Sequence, residues 1–139
     1  MIKLFTLAAC CAALALAEPS AVGNWQYVDG AKITYIKTVE EGGQLKATIT
    51  KVSKDGKEDP NAMCAKCGED GKGKPLAGLL ILWGTKKDGA MNWKDGKLLD
   101  PDSGRVVNGK VEVLDGGNKL NVKGSIAFLS KTQAWTKVQ

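Results

Sequence analysis

Turn-forming pairs recur along this chain at spacings too short for ordinary helices. Asp29-Gly30, Gly42-Gly43, Asp55-Gly56, Asp88-Gly89, Asp95-Gly96, Ser103-Gly104, Asn108-Gly109 and Asp115-Gly116-Gly117 punctuate it from end to end. Each joins a residue tolerant of positive φ to one that bonds its own backbone, which is the chemistry of tight turns. The stretches between them are short and rich in β-branched and aromatic residues, so the chain reads as all-β.

Alternation within those stretches gives each strand a buried and a wet face. Residues 32–39 place Ile33, Tyr35 and Val39 on one face. Leu45, Ala47 and Ile49 alternate with Lys46, Thr48 and Thr50. Leu120, Val122 and Ile126 alternate with Asn121, Lys123 and Ser125, and Gln133, Trp135 and Lys137 alternate with Ala134, Thr136 and Val138. With residues 22–28, 79–86, 90–93, 97–99 and 105–114, the pattern predicts about eight or nine strands in an antiparallel barrel or sandwich. Residues 76–83 break the alternation, being apolar on both faces apart from Gly78. The plain reading is a strand whose outer face is covered; the functional one is the lining of an apolar pocket. Tyr35, Ile81, Trp83 and Trp93 are the residues expected to contact a ligand there.

The first residues have the three-part form of a secretory signal. Lys3 supplies the positive charge, 4–16 is uncharged and apolar apart from Thr6, and Ala15-Leu16-Ala17 is a small-x-small cleavage site before Glu18-Pro19-Ser20. The apolar run is shorter than the roughly 20 residues that span a bilayer. Leu7-Ala8-Ala9-Cys10 has the shape of a lipobox, but too few residues separate Lys3 from Cys10 for an apolar region of about 7–15. The expected division is therefore 1–17, a removed signal peptide, and 18–139, one domain, soluble in the periplasm or secreted. That length suits a single core.

The formal net charge of +5 is carried almost wholly by lysine, with Arg105 the only arginine. The lysines are spread among acidic turns, which suits a solvated surface better than nucleic-acid readout, for which arginine is favoured. Weak attraction to an anionic membrane surface is compatible with this balance. The chain contains no histidine. That removes Ser-His-Asp and Cys-His catalysis and histidine metal ligation, and the expectation is a protein with no catalytic residues, no metal and no cofactor.

The long interval 53–74 holds the most distinctive residues. Asp59 is placed to cap a short helix, Pro60 to begin it and Gly68 to end it. Cys64 and Cys67 would share one face of that helix. In an oxidising compartment they are expected to pair, pinning the loop at a modest gain of about 2 kcal/mol for so short a ring. Two cysteines without histidine do not complete a zinc site, and a mid-helix Cys64 lacks the helix N-terminus that favours a redox thiolate. Residues 68–75 have P-loop spacing, but Pro75 stands where Ser or Thr is required. Asp100-Pro101-Asp102-Ser103-Gly104 reads as a turn and lacks the rest of a calcium loop.

Taken in order, Gly23-x-Trp25, Asp59-Pro60-Asn61-x-x-Cys64-x-x-Cys67, Lys74-Pro75-Leu76-x-Gly78-Leu79-x-Ile81-Leu82-x-Gly84, Trp93-x-x-Gly96-Lys97-x-x-Asp100-Pro101-x-x-Gly104 and Thr132-Gln133-x-Trp135-Thr136 resemble the bacterial domain of unknown function 2147 family. The resemblance covers essentially the whole of 18–139. It implies an exported protein with a small antiparallel lipocalin-like (calycin) β-barrel of about eight or nine strands, bearing one long loop with a short helix and the CxxC pair. Gly23-x-Trp25 also resembles the opening motif of lipocalins, in which a basic side chain from the last strand covers the tryptophan; Lys131 and Lys137 are the options here. Gly23, Trp25, Trp135 and Lys137 would then plug the closed end, with Asp59, Asn61, Asp100, Pro101 and Gly104 as loop and turn residues. Two departures from the family pattern, Val106-Val107 after Gly104 and a short 125–131 segment with Lys131 where arginine is common, fall on strands able to line the mouth.

The favoured function is non-enzymatic binding of a small apolar ligand or lipid in the cell envelope. The alternatives are an accessory protein acting through an envelope protein partner, and a CxxC redox protein. Native mass spectrometry of the protein from its own envelope fraction should give the mass of 18–139 less two hydrogens, with a lipid-like adduct lost on delipidation. An uncleaved mass would overturn the export reading.

Overall fold

The alternating stretches pair with their sequence neighbours, because two-residue loops leave antiparallel strands side by side. The computed structural model describes residues 19–68 and 72–138. The segment expected to direct export, 1–17 with Cys10 and Cys11, lies outside the described residues. The strands are β1 (Gly23–Asp29), β2 (Lys32–Glu41), β3 (Gln44–Lys54), β4 (Lys57–Glu58), β5 (Met63–Cys64), β6 (Lys74–Pro75), β7 (Leu80–Trp83), β8 (Lys86–Lys87), β9 (Asn92–Leu99), β10 (Val106–Leu114), β11 (Lys119–Ile126) and β12 (Leu129–Lys137). Eight of them form an up-and-down ring in the order β1, β2, β3, β7, β9, β10, β11, β12, with β12 pairing back onto β1. Closure removes the free edges that an open sheet would expose. β4 extends the edge beside β3, β8 continues the line of β7 beside β9, and β5 and β6 form a separate two-stranded ribbon.

Besides the register shift between β9 and β10 at Gly109 and Val111, three irregularities set which side chains face inward. β2 and β3 run in register until Tyr35↔Lys51, after which Ile36 faces Ile49, so Thr50 is an extra residue on β3. Such a bulge reverses the alternation of the bulged strand. Inward burial on β3 therefore passes from Leu45, Ala47 and Ile49 to Val52. A second shift, between Ala47 and Thr48 opposite β7, lets adjacent Ile81 and Leu82 both be buried. The third is the break between β7 and β8, where Gly84 takes φ 70°. There the Thr85 hydroxyl stands in for the ladder, accepting from the Leu45 amide at 2.8 Å and donating to its carbonyl at 3.0 Å.

The expected short helix over 59–68 is replaced by turns and β5. The Ala62 amide donates to the Asp59 carbonyl at 3.3 Å and the Cys67 amide to the Cys64 carbonyl at 3.3 Å. Each is a single turn spanning three residues. Between them, Met63 and Cys64 are drawn into pairing with Pro75 and Lys74. A helix this short gains little from its own hydrogen bonds, so the tertiary pairing wins.

Trp25 closes one end of the barrel and is wholly buried. Its indole N–H donates to the Thr38 hydroxyl at 2.9 Å, and the Gly23 amide donates to the same oxygen at 3.0 Å. The hydroxyl in turn donates to the Ala21 carbonyl. Thr38 thus satisfies three polar groups from the strand that begins the fold, in a place water does not reach. Thr38→Val keeps the side chain's shape and strands two donors and an acceptor. Each unsatisfied buried group costs about 1–3 kcal/mol, so we expect a loss of at least about 2 kcal/mol by urea denaturation. A loss below about 0.5 kcal/mol would remove Thr38 from this role.

Candidate functional site

β1, β3, β9 and β11 end, and β2, β10 and β12 begin, at the end of the barrel opposite Trp25. A cavity of about 270 Å³ opens there. Its inner wall is apolar: Ile36, Ile49, Ile81, Val122 and Trp135 are all buried and all line it. Toward the mouth the lining turns polar, with Thr34, Ser125, Ser130 and Gln133, then Lys32, Lys131, Asp29, Asp100 and Asp102. Gln133 is tied to the floor, since the Trp135 indole N–H donates to its Oε1 at 3.2 Å. An apolar interior below a ring of polar groups is the usual make-up of a small-molecule site.

Space for the cavity depends partly on Gly124, which lines it in β11. A Cβ on Gly124 would come within 3.1 Å of Val107 and 3.2 Å of Leu98. The absent side chain lets these neighbours close over the strand instead of being pushed apart.

One side of the mouth is built by the described residues of the 55–79 excursion. Leu76 is buried, lines the cavity, and donates its amide to the Ala62 carbonyl at 2.9 Å. Cys64 and Cys67 lie at disulfide distance, both buried. The Cys64 sulfur rests 3.1 Å from the Pro101 carbonyl oxygen, which joins the excursion to the β9–β10 turn. That turn is held by Asp100, whose carboxylate accepts from the Asp102 amide at 3.0 Å and the Ser103 hydroxyl at 2.9 Å. Gly104 closes it with φ 71°, and a Cβ there would lie 2.3 Å from the Lys66 carbonyl oxygen. The turn and the excursion are packed so closely that this position admits only glycine.

The residues singled out from sequence fall into separate groups. Ile81 lines the cavity, whereas Tyr35, Trp83 and Trp93 are not among its lining residues. Tyr35 lies on the outer face of β2 with the Lys51 ammonium 4.5 Å from its ring centre. Trp93 is buried farther down, with Lys87 5.5 Å above it, and Trp83 is half-buried. Gly23, Trp25 and Lys137 meet at the closed end, with the Lys137 ammonium 6.0 Å from the Trp25 ring. Lys131, the other option for that cover, is at the mouth. Trp135 is buried between the two ends and forms part of the cavity floor. Asp100, Pro101 and Gly104 lie together on the turn against the excursion, Asp100 and Pro101 also lining the cavity; the Asp59 backbone carbonyl accepts from the Ala62 amide, and Asn61 is exposed. Both segments that depart from the family pattern reach the site, through Val107 and through Ser125, Ile126, Leu129, Ser130 and Lys131. Sequence reasoning missed Ile36, Ile49 and Val122 as cavity walls: alternation marks Ile49 and Val122 only as interior, and it puts Ile36 on the face opposite Ile33, Tyr35 and Val39.

The fold is similar to that of protein HP1028 from the human pathogen Helicobacter pylori, a solved structure described as belonging to the lipocalin family. The TM-score is 0.72 at 19% identity, over 86% of this chain and 84% of that one. At that identity the likeness shows a shared fold: a closed, antiparallel, lipocalin-like barrel. No curated protein matches the sequence. The family model described as "Uncharacterized protein conserved in bacteria (DUF2147)" matches residues 23–137, which is nearly the whole described barrel, and the chain belongs to that family.

Proposed function

We propose that this protein is exported and binds a small, largely apolar molecule with a polar end in the mouth cavity. The observation that carries the reading is the cavity itself: about 270 Å³ over a floor of Ile36, Ile49, Ile81, Val122 and Trp135. It falls just below the roughly 300–1,000 Å³ of drug-sized pockets, so the ligand is small. The apolar body would displace water from that floor, at about 25 cal/mol for each Å² removed from solvent. Its polar end would meet the Gln133 amide, whose oxygen is already engaged by Trp135, and the side chains of Thr34, Ser125 and Lys131.

The geometry weighs against the rival uses of the long loop. Its sulfurs are buried, away from an attacking thiolate, which suits a structural pair better than a redox one. One of its faces is already spent on Pro101 and Gly104.

Titration of the purified protein with a fluorescent fatty acid tests the reading. Ile81→Trp puts an indole into the cavity wall and should weaken probe binding at least about tenfold, because lost contact and lost volume act together. Tyr35→Ala removes a ring from the outer face and should leave binding within about twofold. Equal binding by both variants, or none by the unaltered protein, would overturn the assignment.

A further inference from the structure

The β11–β12 hairpin departs from every rule the rest of the chain follows for an exposed turn. Ile126 faces Leu129, so Ala127 and Phe128 form a two-residue loop. Phe128 is fully exposed, Leu129 is 73% exposed and Ile126 47%. Ala127 is held at φ 52°, where glycine or asparagine is strongly preferred. The corresponding loops elsewhere use Gly30, the pair Gly42-Gly43 and Asp55-Gly56 at their positive-φ positions. Here the chain accepts a strained alanine and places an aromatic ring in solvent. Val106, at the mouth end of the neighbouring strand β10, is also 48% exposed. Contiguous exposed apolar side chains of this kind mark a contact surface.

Charge identifies the partner. From Asn118 to the C-terminus the sequence holds Lys119, Lys123, Lys131 and Lys137 and no acidic residue, although the whole chain has 15. Lys123 and Lys131 stand two or three residues behind the apolar tip on either strand, and Arg105 precedes Val106. Aromatic and aliphatic side chains at a tip, with cations set back from it, match the layering of an anionic bilayer, whose acyl boundary lies beneath negative headgroups.

We propose that the β11–β12 tip docks on an anionic lipid surface, with Phe128 entering the headgroup–acyl boundary and Lys123 and Lys131 resting on the lipid charge. Leu129, Ser130 and Lys131 also line the cavity. Docking therefore rests the β11–β12 side of the mouth on the membrane, with the carboxylates of Asp29, Asp100 and Asp102, which line the same mouth, kept clear of the anionic surface, and a ligand of membrane origin has a short path between bilayer and barrel. Docking goes beyond the binding reading and does not depend on it, since the tip is built whether or not the cavity is filled.

The test is co-sedimentation of the purified protein, as its cells process it, with vesicles of phosphatidylglycerol and phosphatidylethanolamine, against vesicles of phosphatidylcholine alone. Binding should favour the anionic vesicles and fall as salt is raised. Phe128→Ser should weaken it at least about tenfold, as expected for keeping one aromatic side chain out of an apolar phase. Phe128→Trp should retain it, with tryptophan emission shifted to the blue, and Lys123→Gln should weaken it on anionic vesicles only. Phe128 is outside the cavity lining, so the Phe128→Ser protein should still bind the fluorescent fatty acid without vesicles. Equal vesicle binding by Phe128→Ser and the unaltered protein would overturn the proposal. So would a protein that fills its cavity with the probe yet ignores vesicles, or one whose tip instead pairs two copies in solution; either result leaves the ligand reading standing.

Discussion

The barrel is closed by a short seam. β12 pairs with β1 through only two register pairs, Trp25↔Lys137 and Gln26↔Thr136, whereas β2 and β3 pair along almost their whole length. So short a ladder does not hold two strands together alone, and Trp25 supplies what is missing. Its ring fills the end of the barrel, its N–H is anchored on Thr38 of β2, and Lys137 of β12 lies over its outer face. One side chain thereby couples β1 to both of its neighbours. The Thr38 hydroxyl also fixes the entering chain at Ala21 and Gly23, which positions Trp25 through contacts with β2 alone. The cation–π contact adds about 0.5–1 kcal/mol and, more usefully, sets the register of the last strand.

Beyond that seam, β1 and β12 have no further paired residues toward the mouth. Packing is thus concentrated at the Trp25 end and relaxed at the other. The cavity lies on the relaxed side, where Gly124 contributes no side chain and Leu98 and Val107 approach its backbone. The excursion compensates for the loosened end. Leu76 covers part of the interior, and the close contacts of Cys64 with Pro101 and of Gly104 with Lys66 tie that cover to the β9–β10 turn. A short disulfide ring contributes little to global stability on the loop-entropy model. Its value here is local, holding the turn at 64–67 in the shape that meets Pro101.

Much of this architecture is legible in the residues, and what is not has identifiable causes. The turn pairs and the alternation of Leu45, Ala47 and Ile49, or of Leu120 and Val122, mark strands because each obeys period two over a rigid ladder. Local alternation points Tyr35 inward, because Ile33, Tyr35 and Val39 share one face at spacings of two and four. The strand instead buries Ile36 and Thr38, since the indole of Trp25 requires an oxygen at position 38. That demand comes from across the sheet and leaves no trace in the local pattern. The helix signals at Asp59, Pro60 and Gly68 are real turn chemistry. They were overridden by a partner, Lys74–Pro75, that lies far enough along the chain to escape a local reading. The cavity was hidden for a deeper reason: filled and hollow barrels share the same alternation. Only the register, which brings Gly124 beside Val107 and Leu98, separates the two.

The same logic explains why the mouth, rather than the plug, carries the sequence's unusual choices. At the closed end each residue answers to a structural demand: oxygen for the indole, cation for the ring, hydroxyl for the broken ladder at Leu45. At the mouth, stability would favour glycine at Ala127 and a polar residue at Phe128, and neither is present. Positive φ on a non-glycine residue is disfavoured, and an exposed aromatic tip invites association. Neither feature returns anything to the folded barrel, since Phe128 contributes no buried surface to the core. A fold that meets the needs of its interior with such economy at Thr38 and Thr85 departs from that economy at one tip, and the tip stands beside an apolar opening.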